Sequence, residues 1–103
     1  MHVNSIINMD LKKYIKDNVL SISKTLSNLK RFYCYDNRLQ ELIIPDTLSN
    51  LKRFYCYDNN LRELIIPETL IQLKEIKCSN NKLNRIVINR NNINNIKNLY
   101  IKI

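Results

Sequence analysis

Apolar residues return along this chain in fixed columns. Leu29, Leu51, Leu73 and Ile96 form one column, Phe32, Phe54, Ile76 and Leu99 a second, and Cys34, Cys56, Cys78 and Ile101 a third. Three more follow: Leu39, Leu61 and Leu83; Leu42, Leu64 and Ile86; Ile44, Ile66 and Ile88. They arise because the chain repeats itself every 22 residues, as LKRFYCYDNRLQELIIPDTLSN from Leu29, LKRFYCYDNNLRELIIPETLIQ from Leu51 and LKEIKCSNNKLNRIVINRNNIN from Leu73. A truncated copy, IKNLYIKI, starts one residue late at Ile96. The step of two between Phe32 and Cys34 predicts a short strand over 31–35, with those two side chains inward and Tyr33 and its counterparts outward. One copy cannot bury its own apolar face. Stacking copies at the sheet spacing of about 4.8 Å turns each column into a ladder, so the pattern predicts a repeat solenoid with a parallel β-sheet.

The array occupies 25–103, as three full copies and a truncated last strand. Residues 1–24 are an N-terminal cap or a degraded first repeat, and two patterns compete there. Ile6, Met9 and Leu11 match Leu29, Phe32 and Cys34 at an offset of 23, while Leu20 and Ile22 match Leu42 and Ile44 at 22. Against this, Val3, Ile7, Leu11, Ile15 and Val19 recur at steps of four, as one face of an amphipathic helix would.

The spacing L-x-x-F-x-C-x-x-N-x-L, followed by L-x-I-P and a further Leu, resembles the leucine-rich repeat, in its short variety of bacterial or viral type. The resemblance covers 25–103. It implies a parallel sheet lining a concave face, with turns and irregular or short helical segments on the convex side, and most often a protein-interaction role. Asn89 in place of the proline, the extra residue before Ile96 and the cut-off end depart from the pattern.

Asn37, Asn59 and Asn81 follow the strand at the bend, where an amide satisfies backbone groups that the turning chain would otherwise bury unpaired. They are read as a structural ladder. Cys34, Cys56 and Cys78 are read the same way, as small buried hydrophobes. Zinc sites use close pairs, whereas these thiols come one per copy among Leu and Phe, and a thiol nucleophile needs a base that the only histidine, His2, is too far along the chain to supply. No metal, cofactor or catalytic residue is expected. The odd count of three cysteines fits a reducing, intracellular compartment, as does the lack of a signal-peptide pattern.

Composition adds a surface. Seventeen Lys and Arg oppose nine Asp and Glu for a net charge of +8, and the wealth of Asn, Ile, Lys and Tyr is the bias of an AT-rich genome, viral or microbial. The outward strand positions read Arg31, Tyr33, Tyr35; Arg53, Tyr55, Tyr57; and Lys77 and Tyr100 in later copies. Tyrosine and arginine are the types that most often carry binding energy at interfaces, so these eight are the expected partner-binding face. The expected ligand is a protein or peptide. Nucleic acid or another polyanion is the alternative, since rings among cations stack bases and hold phosphates, and a substrate-recruiting fragment of a larger enzyme is a third. The last strand, Asn98 to Lys102, has no following copy, which makes it a candidate homodimer edge.

Overall fold

Ten short strands run along the described chain: β1 (Ser5–Ile6), β2 (Ile15–Lys16), β3 (Val19–Ser21), β4 (Arg31–Tyr33), β5 (Glu41–Ile43), β6 (Arg53–Tyr55), β7 (Glu63–Ile65), β8 (Glu75–Lys77), β9 (Arg85–Val87) and β10 (Asn98–Tyr100). The structure is a computed structural model, and it describes residues 4–6, 11–89, 92, 96 and 98–100, the last three as backbone. Val3, Ile7, Met9, Lys97, Ile101, Lys102, Ile103 and the Tyr100 side chain lie outside the described residues, and so does part of the expected homodimer edge.

The strands build a β-solenoid of about four turns. One wall is a five-stranded parallel sheet in the order β1-β4-β6-β8-β10. Its register is that of the repeat: Phe32 stands beside Phe54 and Phe54 beside Ile76, each one copy on. β10 pairs with β8 as Asn98↔Glu75, Leu99↔Ile76 and Tyr100↔Lys77, so the extra residue before Ile96 is absorbed ahead of the strand. Where the resemblance implies irregular or short helical segments, the opposite wall carries strands: β2-β3-β5 in one sheet and β7-β9 in another. Helix is confined, among the described residues, to a 3-10 turn at Lys12–Tyr14 and to Asn92.

Between the walls lies one ladder-built core. Leu29, Leu51 and Leu73, with Cys34, Cys56 and Cys78, are wholly buried, as are Leu39 and Leu61 and the pair Leu48 and Leu70. Burial weakens toward the end of the array, where Ile86 and Ile88 are only half-buried. The Leu48 and Leu70 column ends in Asn92, also buried, whose Nδ2 donates to the Leu70 carbonyl at 2.9 Å.

The N-terminal segment follows the degraded-repeat alignment only in part. β1 pairs with β4 so that Ile6 meets Phe32, a shift of 26 rather than 23. Leu20 does meet Leu42, at the repeat's own offset. Between these, β2 and β3 form an antiparallel hairpin with Ile15 opposite Leu20 and Lys16 opposite Val19. Its two-residue loop is Asp17-Asn18, with φ of 52° and 62°. Two consecutive left-handed residues make a type I′ turn, whose twist suits a hairpin and which Asp and Asn tolerate best after glycine. This turn and the flanking strands exclude a single helix through Val19.

The second wall breaks between two nearly identical copies. β5 and β7 run side by side without forming a ladder, although β3 pairs with β5 and β7 with β9. Asn60 N–H donates to the Leu39 carbonyl at 2.8 Å just before the split. Two differences coincide there. Arg38 enters its turn with φ of 55°, which its counterpart Asn60 does not share, and Glu41 and Glu63 place like charges at equivalent positions of neighbouring strands, which is unfavourable. On the next step Glu63 meets Arg85 instead, at 3.5 Å, and the ladder is intact.

Candidate interaction surface

The outer face of the five-stranded sheet is built by alternation. In β4 and β6, Phe32 and Phe54 are buried with tilted rings 5.9 Å apart, so the residues on either side must point away from the core. Arg31 and Arg53 are exposed, and Tyr33, Tyr35, Tyr55 and Tyr57 are half-buried. In-register pairing then puts like on like. Tyr33 stacks on Tyr55 at 4.4 Å between ring centroids with 12° between planes, and Tyr35 on Tyr57 at 4.8 Å and 10°. Tyr55 and Tyr57 join the two stacks at 6.3 Å. The spacings are those of the strands themselves, which is how a repeat turns one side chain into a plate.

The third copy closes one end of the plate. Lys77 brings its Nζ to 4.6 Å from the Tyr55 ring centroid, so Tyr55 has a ring on one face and a cation on the other. The Tyr55 hydroxyl donates to the Glu75 carboxylate. Partial desolvation, that hydrogen bond and the carboxylate's charge together push the phenol up to about 12. Tyr57 is also raised, by desolvation and by neighbouring Tyr35 and Asp58. The Arg53 guanidinium is held above its ordinary value chiefly by its hydrogen bond with the Tyr33 hydroxyl. The Tyr55 and Tyr57 phenols and the Arg53 guanidinium therefore keep their protons throughout the physiological range.

Seven of the eight residues expected on this face are thus brought together, five on strands β4, β6 and β8 and Tyr35 and Tyr57 just beyond β4 and β6, and the eighth is Tyr100, whose backbone continues the sheet beside Lys77. Glu75 was absent from the expected set, yet it anchors Tyr55. The signal was in the register: Arg53 aligns with Glu75 and Tyr55 with Lys77 at the repeat period. Asp36, Asp58 and Asn80 border the plate at the end of each strand, with φ of 54°, 55° and 53°. Each takes the left-handed bend that Asp and Asn adopt more readily than other non-glycine residues, so these side chains are explained by the turn. Asn80 donates to the Asp58 carboxylate at 2.7 Å.

Under the face, the asparagines form a ladder. Asn59 Nδ2 donates to the carbonyls of Cys34 and Cys56 at 3.0 Å each and of Tyr57 at 3.2 Å, while its Oδ1 accepts from Asn37 N at 2.9 Å and Leu39 N at 3.0 Å. Asn81 repeats this one turn on, donating to Cys56, Cys78 and Ser79 and accepting from Leu61. Each amide thus binds its own bend to the preceding turn.

The three thiols are free and buried. Burial pushes Cys34 and Cys56 far up and Cys78 to about 11. Since the thiolate is the reactive form, a folded sample at neutral pH should release almost no signal to a disulfide reagent over minutes, and three thiols per chain once urea is added. Rapid labelling of all three without denaturant would contradict their place in the core.

Compared with family models, with curated proteins and with solved structures, the chain matches none of the three sets.

Proposed function

We propose that this chain is an interaction module of leucine-rich-repeat kind, which binds a partner protein or peptide on the outer face of its five-stranded sheet. The observation that carries this reading is the tyrosine plate: four half-buried rings held edge-out on a rigid sheet, flanked by Arg31 and Arg53. Such rings offer contact area and a polar tip at little further cost in side-chain entropy, because stacking already restrains them. The same geometry weighs against bases as ligands. Tyr33 and Tyr55 turn one π-face each toward the other and Lys77 covers the far side of Tyr55, so the faces on which a base would stack are largely taken. What is offered outward is ring edges and hydroxyls.

The test is capture from a native extract by wild type and by the Tyr33→Ala/Tyr55→Ala double variant, with and without nuclease. The expected result is a nuclease-resistant set of proteins that falls at least about tenfold with the double variant, a loss of about 1.4 kcal/mol or more in binding. Circular dichroism of the same variant should show the wild-type strand content, since Phe32 and Phe54 beneath it are unchanged. Undiminished capture by a folded double variant would remove this face from consideration, and capture abolished by nuclease would favour the nucleic-acid alternative.

A further inference from the structure

We infer that Arg31 and Arg53 form a two-guanidinium clamp for one side-chain carboxylate of an acidic partner segment lying along the tyrosine plate, an inference that rests on the reading of that face as the binding surface. The two arginines stand in register on adjacent parallel strands. Like charges directly opposite one another in a sheet are unfavourable, and a protein keeps them at a cost unless something bridges them. Neither arginine forms an ion pair among the described residues: Glu63 pairs with Arg85, and Glu75, the acid that stands beside Arg53 in the register, accepts from Tyr55 and acts on Arg53 only through its charge. Lys30 and Lys52 precede the arginines and add to the local positive charge. The column therefore runs from cationic at β4 and β6 to compensated at β8.

Its spacing selects the ligand. Neighbouring strands lie about 4.8 Å apart, whereas same-side residues of an extended peptide are separated by about 6.7 Å, two rises of a strand. The two arginines therefore stand closer together along the face than two successive same-side residues of a strand. They match the two oxygens of one carboxylate, taken from both sides by planar forks suited to it. A phosphodiester backbone fits less well. Glu75 lies two strands from Arg31 on the same column, and Asp36 and Asp58 border the plate at its far side, so a continuous run of phosphates along the face would meet carboxylates as well as cations. A peptide with one or two acids among neutral residues would not.

Fluorescence anisotropy tests this with three probes: a fluorescein-labelled decapeptide with two glutamates among neutral residues, the same peptide with glutamine for glutamate, and an oligothymidylate of equal charge. Two double variants remove the same charge, Arg31→Gln/Arg53→Gln from the face and Lys16→Gln/Arg62→Gln from elements of the opposite wall. The expected result is that the acidic peptide binds more tightly than its glutamine version, and that the face variant weakens it about tenfold or more while the opposite-wall variant weakens it less than about threefold. Arg31→Gln alone should melt no lower than wild type, because it relieves a repulsion, so lost binding is not lost folding. Equal weakening by the two double variants would reduce the effect to general attraction by a net charge of +8 and overturn the clamp. Preference for the oligothymidylate, or no binding of the acidic peptide at millimolar concentration, would overturn it as well. If Tyr33→Ala/Tyr55→Ala weakens natural partner capture while the arginine variant leaves it intact, the face stands and the clamp falls; if neither matters, both fall.

Discussion

Asn59→Asp should destabilise the fold by about 4 kcal/mol or more, although it exchanges one NH₂ for one oxygen. Asn59 is 6% exposed, and its Nδ2 faces three carbonyls, those of Cys34, Cys56 and Tyr57. The aspartate keeps the acceptor that serves Asn37 N and Leu39 N, but it sets a second oxygen against those carbonyls and brings a charge into a site without a cation. Orphaned buried groups cost about 1–3 kcal/mol each, and an uncompensated charge more, against a total stability of about 5–15 kcal/mol for a small domain. The sign of the pH dependence separates this from ordinary loss of packing. A carboxyl in that site has its folded pKa raised above the unfolded value, so the variant's stability is highest below the unfolded pKa near 4 and is lost as pH rises through the folded value. Asn81→Asp should behave alike with a smaller loss, because that site is only half-buried. Urea unfolding followed by circular dichroism, at about pH 4 and pH 7, measures both. A midpoint for Asn59→Asp within error of wild type would show that the ladder does not hold the turns together.

The array was legible because every local preference agrees with the stack. Phe32 and Cys34, two residues apart, can both point inward only from a strand, and the same alternation fixes where Arg31 and Tyr33 must face. What the repeat period could not show was anything that depends on a difference between copies. Ile6 pairs with Phe32 three residues away from the expected alignment, because the hairpin turned by Asp17-Asn18 takes up chain that an ordinary copy spends on its bend. That signal was present, an Asp-Asn pair between Ile15-Lys16 and Val19-Leu20, but a search for the 22-residue pattern passes over a turn that belongs to no repeat. The split of β5 from β7 is of the same kind. Glu41 and Glu63 look like faithful repetition in the sequence, yet repeating a charge puts it beside itself in space. At the tyrosine face repetition helps, since rings stack, and at the arginines it leaves a repulsion that a ligand can relieve. Glu75 shows the reverse: a departure from the repeat, Arg53 giving way to Glu75, creates the partner for the Tyr55 hydroxyl.

The protein should also lose stability steeply in alkali, and the cysteine ladder is the cause. Cys34, Cys56 and Cys78 have ordinary thiol values of 9.0 and are all raised by burial, Cys78 to about 11 and Cys34 and Cys56 well above the ordinary value. A group whose folded pKa is raised keeps its contribution below the unfolded pKa and loses it as pH rises toward the folded one, because the unfolded chain releases protons that the folded chain retains. Each such group changes stability by about 1.4 kcal/mol per pH unit, so three together cost about 4 kcal/mol per unit from about pH 9 to pH 11. Over that range the loss reaches the whole stability of a typical small domain, which places unfolding near pH 10–11 at room temperature. The phenols of Tyr55 and Tyr57 are raised too, but unfolded tyrosine ionises only near pH 10, so they steepen the fall late and do not start it. In wild type kept reduced, the thiolate absorbance should therefore rise together with the loss of strand signal, and not at lower pH. Replacing Cys56 by alanine leaves two thiols and should cut the slope of the urea midpoint between about pH 9 and pH 10 by roughly one third, whatever it costs in packing at neutral pH. A thiolate signal that develops at its ordinary pH while the strands persist, or a slope the substitution leaves unchanged, would mean that water reaches these sulfurs in the folded chain.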